Sequence, residues 1–235
     1  MDNQHGNVLH VMDKYFEVMA YSIGAMTGDG SVKKYLRKSE EGRMFTVYNA
    51  SISSMDEECV GKVCYEVDVL FHKNFKPTPY VSPKGTKMYR IGFGSEETFN
   101  FFNYFIREKL TVPDEVFRVS RKAKIDYIAG LFDTDGWITS HNGYYRLGFA
   151  SRHRTFVEDV ARLLMKTGVK VGKINEDVSG YGTLMFRITP NLRSFIEKGY
   201  YFHIQRKAKR VEEYIYSMKL SHKMVRPSET IMSNP

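Results

Sequence analysis

Cysteine is scarce in this chain of 235 residues: only Cys59 and Cys64 occur, close together on an expected helix but not stacked on one face of it. That excludes a disulfide-stapled scaffold. The seven histidines are scattered, with no second His or Cys at the spacings that zinc requires, so a zinc module is excluded too. His153 and His203 are expected to be contact or packing residues, and both cysteines ordinary core or flank residues. Long apolar runs are also missing. No stretch reaches the length of a membrane span and Met1 to His10 is too polar for a secretory leader. The expectation is therefore a soluble intracellular protein with no membrane partner, in cytoplasm or nucleoid, with an organelle equally compatible. An acidic surplus is lacking as well: 35 Lys and Arg face 27 Asp and Glu, a net charge of +8. This balance suits a partner made of phosphate backbone. With 42% hydrophobic residues the chain can bury a real core, as one large domain or two intimately packed ones.

What is present is a repeated word. Ile128 to Gly136 reads I-A-G-L-F-D-T-D-G, and Ser22 to Gly30 reads S-I-G-A-M-T-G-D-G. The copies share Gly at the third position (Gly24, Gly130), Asp at the eighth (Asp29, Asp135) and Gly at the ninth (Gly30, Gly136). Apolar residues at helical spacing run into each word, Tyr15, Val18, Met19 and Ile23 before the first and Ile125, Ile128, Ala129 and Phe132 in the second, so each word closes a helix. Gly24 and Gly28 lie one turn apart, as do Gly130 and Thr134, which gives each helix a face of small residues where a second backbone can approach. If the helices pack through those faces, Asp29 and Asp135 emerge together, each before a glycine that turns the chain away.

Two carboxylates at two helix C-termini repel each other and the helix dipoles. A divalent cation resolves that repulsion, and hard oxygen donors with positions left for water and phosphate suit Mg²⁺. The residue types match metal-dependent hydrolysis of nucleic acid. Each Asp-Gly taken alone is also an ordinary turn signal; it is the twinning inside a matched word that favours chemistry.

The elements between the words repeat as well. Strands are expected at Ser31–Lys38 and Arg43–Ser53, a helix at Met55–Phe71, strands at Lys76–Val81 and Lys87–Phe93, and a helix at Glu96–Leu110 with Phe99, Phe102 and Ile106 as core. After the second word come strands at Trp137–Ser140 and Tyr144–Ser151, a helix at Arg152–Thr167, strands at Lys170–Asp177 and Thr183–Thr189, and a helix start at Asn191. Even R-K-A-K recurs, at Arg121–Lys124 and Arg206–Lys209, each placed just ahead of a helix. The expected class is α+β: a pseudo-two-fold pair of αββαββα units with two antiparallel four-stranded sheets. The divisions are a flexible terminus at 1–11, half-domains at 12–113 and 114–220, and a flexible tail at 221–235. Alternation leaves one face of each sheet polar, and Lys33, Arg37, Lys76, Lys84, Lys87, Arg90, Arg146, Lys170, Lys173 and Arg187 are the candidates for contact with DNA. Asp133 is expected at the surface or helix terminus, away from the shared acids, and Trp137 in sheet packing.

The word and its duplication resemble the LAGLIDADG homing endonucleases, whose single-chain members carry one such motif per half. The resemblance in organisation runs from about residue 12 to 218 and rests on Gly24, Asp29 and Gly30 in the first copy, where Thr27 replaces the acid found at Asp133 in the second. It implies a monomer whose two sheets form a saddle over a long, nearly palindromic double-stranded DNA site. It also implies Asp29 and Asp135 as catalytic metal ligands holding two or three divalent ions, and double-strand cuts with short cohesive ends. By position it further implies a polar catalytic residue near the end of each second strand, Ser54 and Ser151, and a basic one before each final helix, Lys122 and Lys207. The alternatives are an RNA maturase that binds its host intron RNA, or a DNA-binding protein that does not cut. Because the chain begins Met-Asp and ends Ser-Asn-Pro, with no His beside Asn234, a free-standing protein encoded by an intron or separate reading frame is expected rather than a self-splicing one.

Overall fold

Apolar residues at helical spacing and β-branched or aromatic residues in alternation divide the chain into eight helices and eight strands among the described residues. The computed structural model describes the backbone of residues 3–106, 109–180 and 182–224 and the side chains of 13–106, 109–180 and 182–219. The first half comprises α1 (Asn3–Gly28), β1 (Ser31–Lys38), β2 (Met44–Ser54), α2 (Glu57–Phe71), β3 (Thr78–Val81), β4 (Lys87–Phe93) and α3 (Glu96–Ile106). A short α4 (Asp114–Arg118) leads into the second: α5 (Arg121–Thr134), β5 (Gly136–His141), β6 (Tyr144–Ser151), α6 (Arg154–Lys166), β7 (Asn175–Val178), β8 (Leu184–Ile188), α7 (Leu192–Glu197) and α8 (Gln205–Met224).

Each half forms one antiparallel four-stranded sheet, ordered β1-β2-β4-β3 and β5-β6-β8-β7. The duplication extends to the register. Ile52 opposite Ile91 and Thr78 opposite Arg90 in one sheet correspond to Phe149 opposite Ile188 and Asn175 opposite Arg187 in the other, so β2 to β4 map onto β6 to β8 under a single constant shift. Alternation sends Ala50, Ile52, Ile91 and Phe93, and Leu147, Phe149 and Ile188, into the core beneath the helices. Among the described residues, the opposite face of each sheet carries no helix.

Several boundaries differ from expectation. α1 reaches back to Asn3 and α8 runs to Met224, so residues 3–11 and 221–224 are helical where flexible termini were expected; once a buried segment has nucleated a helix, adding polar residues to its end is cheap. Residues 1–2 and 225–235 of those expected termini lie outside the described residues. R-K-A-K opens α5 and lies in the first turn of α8 rather than preceding either helix. Lys170 and Lys173 are not on a strand: β7 starts only at Asn175, and the chain before it touches the sheet through the single bridge Val171–Pro190. The glycine at 172 and the proline opposite remove what a continuous ladder needs there.

Candidate active site

The small residues of the repeated word decide how closely the halves meet. A Cβ placed on Gly24 would fall 2.0 Å from the Tyr127 carbonyl oxygen, and one on Gly130 would fall 2.1 Å from the Tyr21 carbonyl oxygen. The backbones of α1 and α5 are thus in direct contact, each through the other's glycine. One turn on, the Thr134 hydroxyl takes up the space above Gly28, where a Cβ would lie 1.9 Å from Oγ1 and 3.4 Å from the Asp135 carboxyl carbon. Thr134 Oγ1 donates back to its own helix at Gly130 or Leu131, so the hydroxyl is satisfied inside this seam.

Both helices end here. The Asp29 and Asp135 amides still donate to Ala25 and Leu131, each at 3.0 Å, so both acids are held on the last turn of their helix. The Asp135 carboxyl lies against Gly28, the residue before Asp29, and each acid feels the charges of Lys109 and Lys207, Asp135 that of Asp29 as well. Asp29 remains open to solvent, yet the protein around it strips enough water to push its carboxyl above the ordinary range, with the two lysines opposing. Asp135 is pushed up to about 6 by burial first and by the Asp29 charge second, again against both lysines. Protein alone leaves this pair of acids undercompensated.

The two lysines are held differently. Lys207, 3% exposed, donates from Nζ to the carbonyls of Phe132, Asp133 and Gly136 at 2.6, 2.8 and 2.6 Å, tying the end of α5 to the start of β5. Burial lowers its pKa to about 8, against the attraction of Asp133. Lys109 follows α3 with a positive φ of 62° and donates to the Gly28 carbonyl at the end of α1. Burial lowers its pKa too, while Asp135 and then Asp29 raise it. Lys109 escaped the sequence reading because it was placed inside an extended helix; the four orphan carbonyls that any helix leaves at its end were the available signal.

Lys122 requires a correction. It lies in the first turn of α5, about 20 Å along the helix from Asp135, and its ammonium is exposed and paired with Asp126. Helical phase and polarity put it at the wrong end of the element. Ser54 and Ser151 also face away from the open sheet surface, on the core side with Ile52 and Phe149, and their hydroxyls accept the amides of Asp56 and His153 in the turns entering α2 and α6. One residue of frame separates them from the open face. There the positions nearest the motif end of β1 are Ser51, opposite Ser31, and Asn49, opposite Lys33.

Asp133 lies in the last turn of α5, one of the two positions expected for it, but it is 2% exposed rather than at the surface. Its Oδ2 accepts from Tyr21 Oη and from the His203 amide, both at 2.9 Å, so it joins the first motif helix to the approach of α8. Burial raises its pKa to about 6, with the Tyr21 and His203 hydrogen bonds opposing. The His203 ring packs edge-on against Tyr21.

Of the basic candidates, Lys33, Arg37 and Arg90 in the first sheet and Arg146 and Arg187 in the second project from the open face, by register with Ser31 and Trp137. Lys84 sits in the β3–β4 turn, and Lys76, Lys170 and Lys173 in loops. Lys87 is on the core-side parity of β4, its ammonium over the Tyr89 ring, a correction imposed by strand alternation. Arg90 stacks on Tyr80, whereas its counterpart Arg187 pairs with Asp177 at 2.8 Å and stacks on Trp137, whose indole lies over Gly148. Trp137 thus packs against its own sheet, on the open face.

Among the described residues there is no group of three or more His, Cys, Asp or Glu able to hold a metal ion, and no helix is long and apolar enough to cross a membrane. The donor set at the helix ends is two carboxylates with backbone carbonyls nearby. Hard oxygen donors, raised carboxyl pKa values and open solvent on one side fit a hard divalent cation completed by water and phosphate.

Comparison with known proteins finds relatives of the fold. Residues 122–198 match the family model of the LAGLIDADG-like domain. Among curated proteins, a probable translation initiation factor IF-2 of Thermococcus kodakarensis is 26% identical over 213 residues, 88% of this chain and 16% of that protein. The ribonucleoside-diphosphate reductase NrdEB subunit alpha of Bacillus subtilis is 24% identical over 157 residues, 64% of this chain and 14% of that protein. The chain therefore spans only about a sixth of these relatives' length. A solved structure of variants of the homing endonuclease I-DmoI superposes with a TM-score of 0.55 at 20% identity, covering 78% of this chain and 93% of that one. I-DmoI in complex with DNA and Mn gives 0.52 at 21%, covering 78% and 94%. The I-LtrWI LAGLIDADG homing endonuclease bound to target DNA gives 0.51 at 11%, covering 90% and 91%.

Proposed function

Because the chain carries a LAGLIDADG-like domain and has the fold of the single-chain LAGLIDADG homing endonucleases, we propose that it is a site-specific endonuclease that cuts both strands of a long, pseudo-palindromic DNA target. The observation that carries this reading is the pair Asp29 and Asp135, brought into one volume by the contact of α1 and α5 at Gly24 and Gly130. The units that act are half-domains 12–113 and 114–220, and the protein works as a monomer. The two curated relatives have unrelated activities, so what this chain shares with them is best read as a common nuclease segment rather than either relative's own chemistry.

Asp29 and Asp135 would hold the divalent ions, with Mg²⁺ the natural choice for these donors, and those ions when bound supply positive charge to the phosphodiester being cut. The chain's own residues do the positioning. Lys207 fixes the corner between α5 and β5 from which Asp135 projects, and Lys109 holds the end of α1 behind Asp29. Their charges partly offset the two acids, and keep the carboxylates ionised nearer neutral pH than burial alone would allow. The open sheet faces, with Lys33, Arg37, Arg90, Arg146 and Arg187, lie against the duplex, while Lys76, Lys84, Lys170 and Lys173 stand at the rims for phosphate.

The test is cleavage of a randomised duplex library with Mg²⁺ or Mn²⁺, comparing the intact protein with Asp29→Asn and Asp135→Asn. Site-specific double-strand cuts lost in both variants are the expected result. Tight, specific binding to DNA or to intron RNA without cutting, across metals and salt, would reject the nuclease and leave a binder or maturase.

A further inference from the structure

The two sheets share one register, but their first hairpins differ in length. Measured from the motif glycines, β1 stays paired as far as Lys38, eight residues past Gly30, but β5 only as far as His141, five residues past Gly136. The first half therefore has three additional rungs at the tip of its hairpin: Leu36–Thr46, Arg37–Phe45 and Lys38–Met44. At about 3.4 Å per residue this arm reaches some 10 Å further than its counterpart.

The arm exposes large apolar side chains among its charged ones. Leu36 is 67% exposed, Met44 59% and Phe45 45%, and Tyr35 on the preceding rung is 49% exposed. All of β1 beyond Val32 is exposed, as are the first three residues of β2. A two-stranded ribbon with both faces in water is marginal on its own. Strand alternation sorts its side chains: Tyr35, Arg37 and Phe45 share the open face with Lys33, while Leu36 and Met44 lie on the other side. The connecting turn carries Glu40 and Glu41, which sets an electrostatic end to the basic run at Lys38.

Resting on the endonuclease reading above, we infer that this arm makes the target asymmetric: the first half reads about three more base pairs than the second, by apolar contact with thymine methyl groups from Phe45 on the added rungs and Tyr35 on the rung that leads into them, Arg37 serving the adjacent phosphate. One base pair occupies about 3.4 Å of duplex, so three strand residues span about three pairs. In the major groove the thymine methyl is the feature that an apolar side chain can recognise. The occupant is duplex DNA rather than a second copy, because Tyr35 and Phe45 alternate with Lys33 and Arg37 on the same open face that carries Arg90.

The experiment begins with the intact protein selecting its own target from a randomised duplex library, followed by base preference at every position of the selected duplex. The expected preference extends about three pairs further from the cleavage centre on one side, with thymine enriched there. Replacing those thymines by uracil should weaken binding roughly fourfold per methyl lost. In the exposed-surface variant Tyr35→Ser with Phe45→Ser, that outer preference and the uracil effect should vanish while preference at the other positions persists. A symmetric preference, an outer preference that survives the double substitution, or a change in self-association instead of in base preference would each overturn the inference. If no duplex is selected at all, the endonuclease reading fails and the arm's role with it, an outcome distinct from a target that is cut but read symmetrically.

Discussion

Placing an alanine at Gly24 adds a methyl group to the tightest point in the molecule. Its Cβ would stand 2.0 Å from the Tyr127 carbonyl oxygen, 2.9 Å from the carbonyl carbon and 3.0 Å from the Leu131 amide nitrogen, all backbone atoms of a helix that cannot rotate away. The helices must separate by about 1 Å to restore even a close contact, which places the cost near the upper end for overpacking, about 3 kcal/mol. For a chain of this size that lowers the melting temperature by roughly 6–12 °C. The same displacement moves Asp29 away from Asp135, and a shift of that size costs on the order of 100-fold in cleavage rate. Gly130→Ala should do the same from the other side, against the Tyr21 carbonyl oxygen at 2.1 Å. The two substitutions call for the same separation, so the double variant should lose little more than either single, about 3–4 kcal/mol instead of about 6. Urea denaturation of the four proteins, beside single-turnover cleavage, measures both effects. Strict additivity, or singles that fold and cut like the parent, would mean that the helices do not meet through these glycines.

Metal-free protein should be more stable at pH 5 than at pH 7.5, while cleavage changes the opposite way. Asp133 and Asp135 are raised to about 6 in the folded protein against about 3.9 unfolded, so the stability they contribute is present at low pH and is lost as pH rises through 6. Melting curves in chelator against pH check the sign, and Asp135→Asn should flatten the profile and raise the melting temperature at pH 7.5. Lys207→Met leaves three carbonyls at the end of α5 without their donor and should cost about 3 kcal/mol together with cleavage, whereas Lys122→Ala, at the exposed far end, should change stability by less than about 0.5 kcal/mol and leave cleavage intact. Asp56→Ala removes the two-pronged ion pair with Arg206 that joins the first half to α8; because the arginine is half exposed, the expected loss in denaturant is about 1 kcal/mol, and a larger loss would mean that the pair is more desolvated than its exposure indicates.

The parts of this molecule that were legible in its sequence are those governed by short-range periodicity and by repetition. Two copies of a glycine-acid word, each followed by alternating strands, specify two like halves without any knowledge of the distance between them. The hairpin glycines at 85 and 143, both at positive φ, marked their turns plainly. What sequence could not supply was phase. Ser54 and Ser51 differ by three residues on one strand and look equally suitable, but only register decides which faces the core. Lys122 and Lys207 occupy the same R-K-A-K words, yet one ammonium is exposed and the other enclosed by carbonyls, because α5 begins far from the site and α8 begins beside it. The place of Asp133 at a helix terminus was legible, but its burial was not, because nothing local reveals Tyr21 and His203, which are distant in sequence and adjacent in space.

The glycine seam between α1 and α5 also has a consequence in time. Synthesis delivers α1 first, and its partner helix leaves the ribosome only after the whole first sheet has been made, several seconds later at about 5–20 residues per second. During that interval Tyr21, Gly24 and Ala25, fully enclosed in the finished protein, have no α5 to cover them. Asp29 ends one helix and Asp135 the other, so a chain cut short before α5 carries only one member of the carboxylate pair. The pair exists only once α5 has been made, and α8, later still in the chain, brings the Lys207 ammonium that ties the end of α5 to β5.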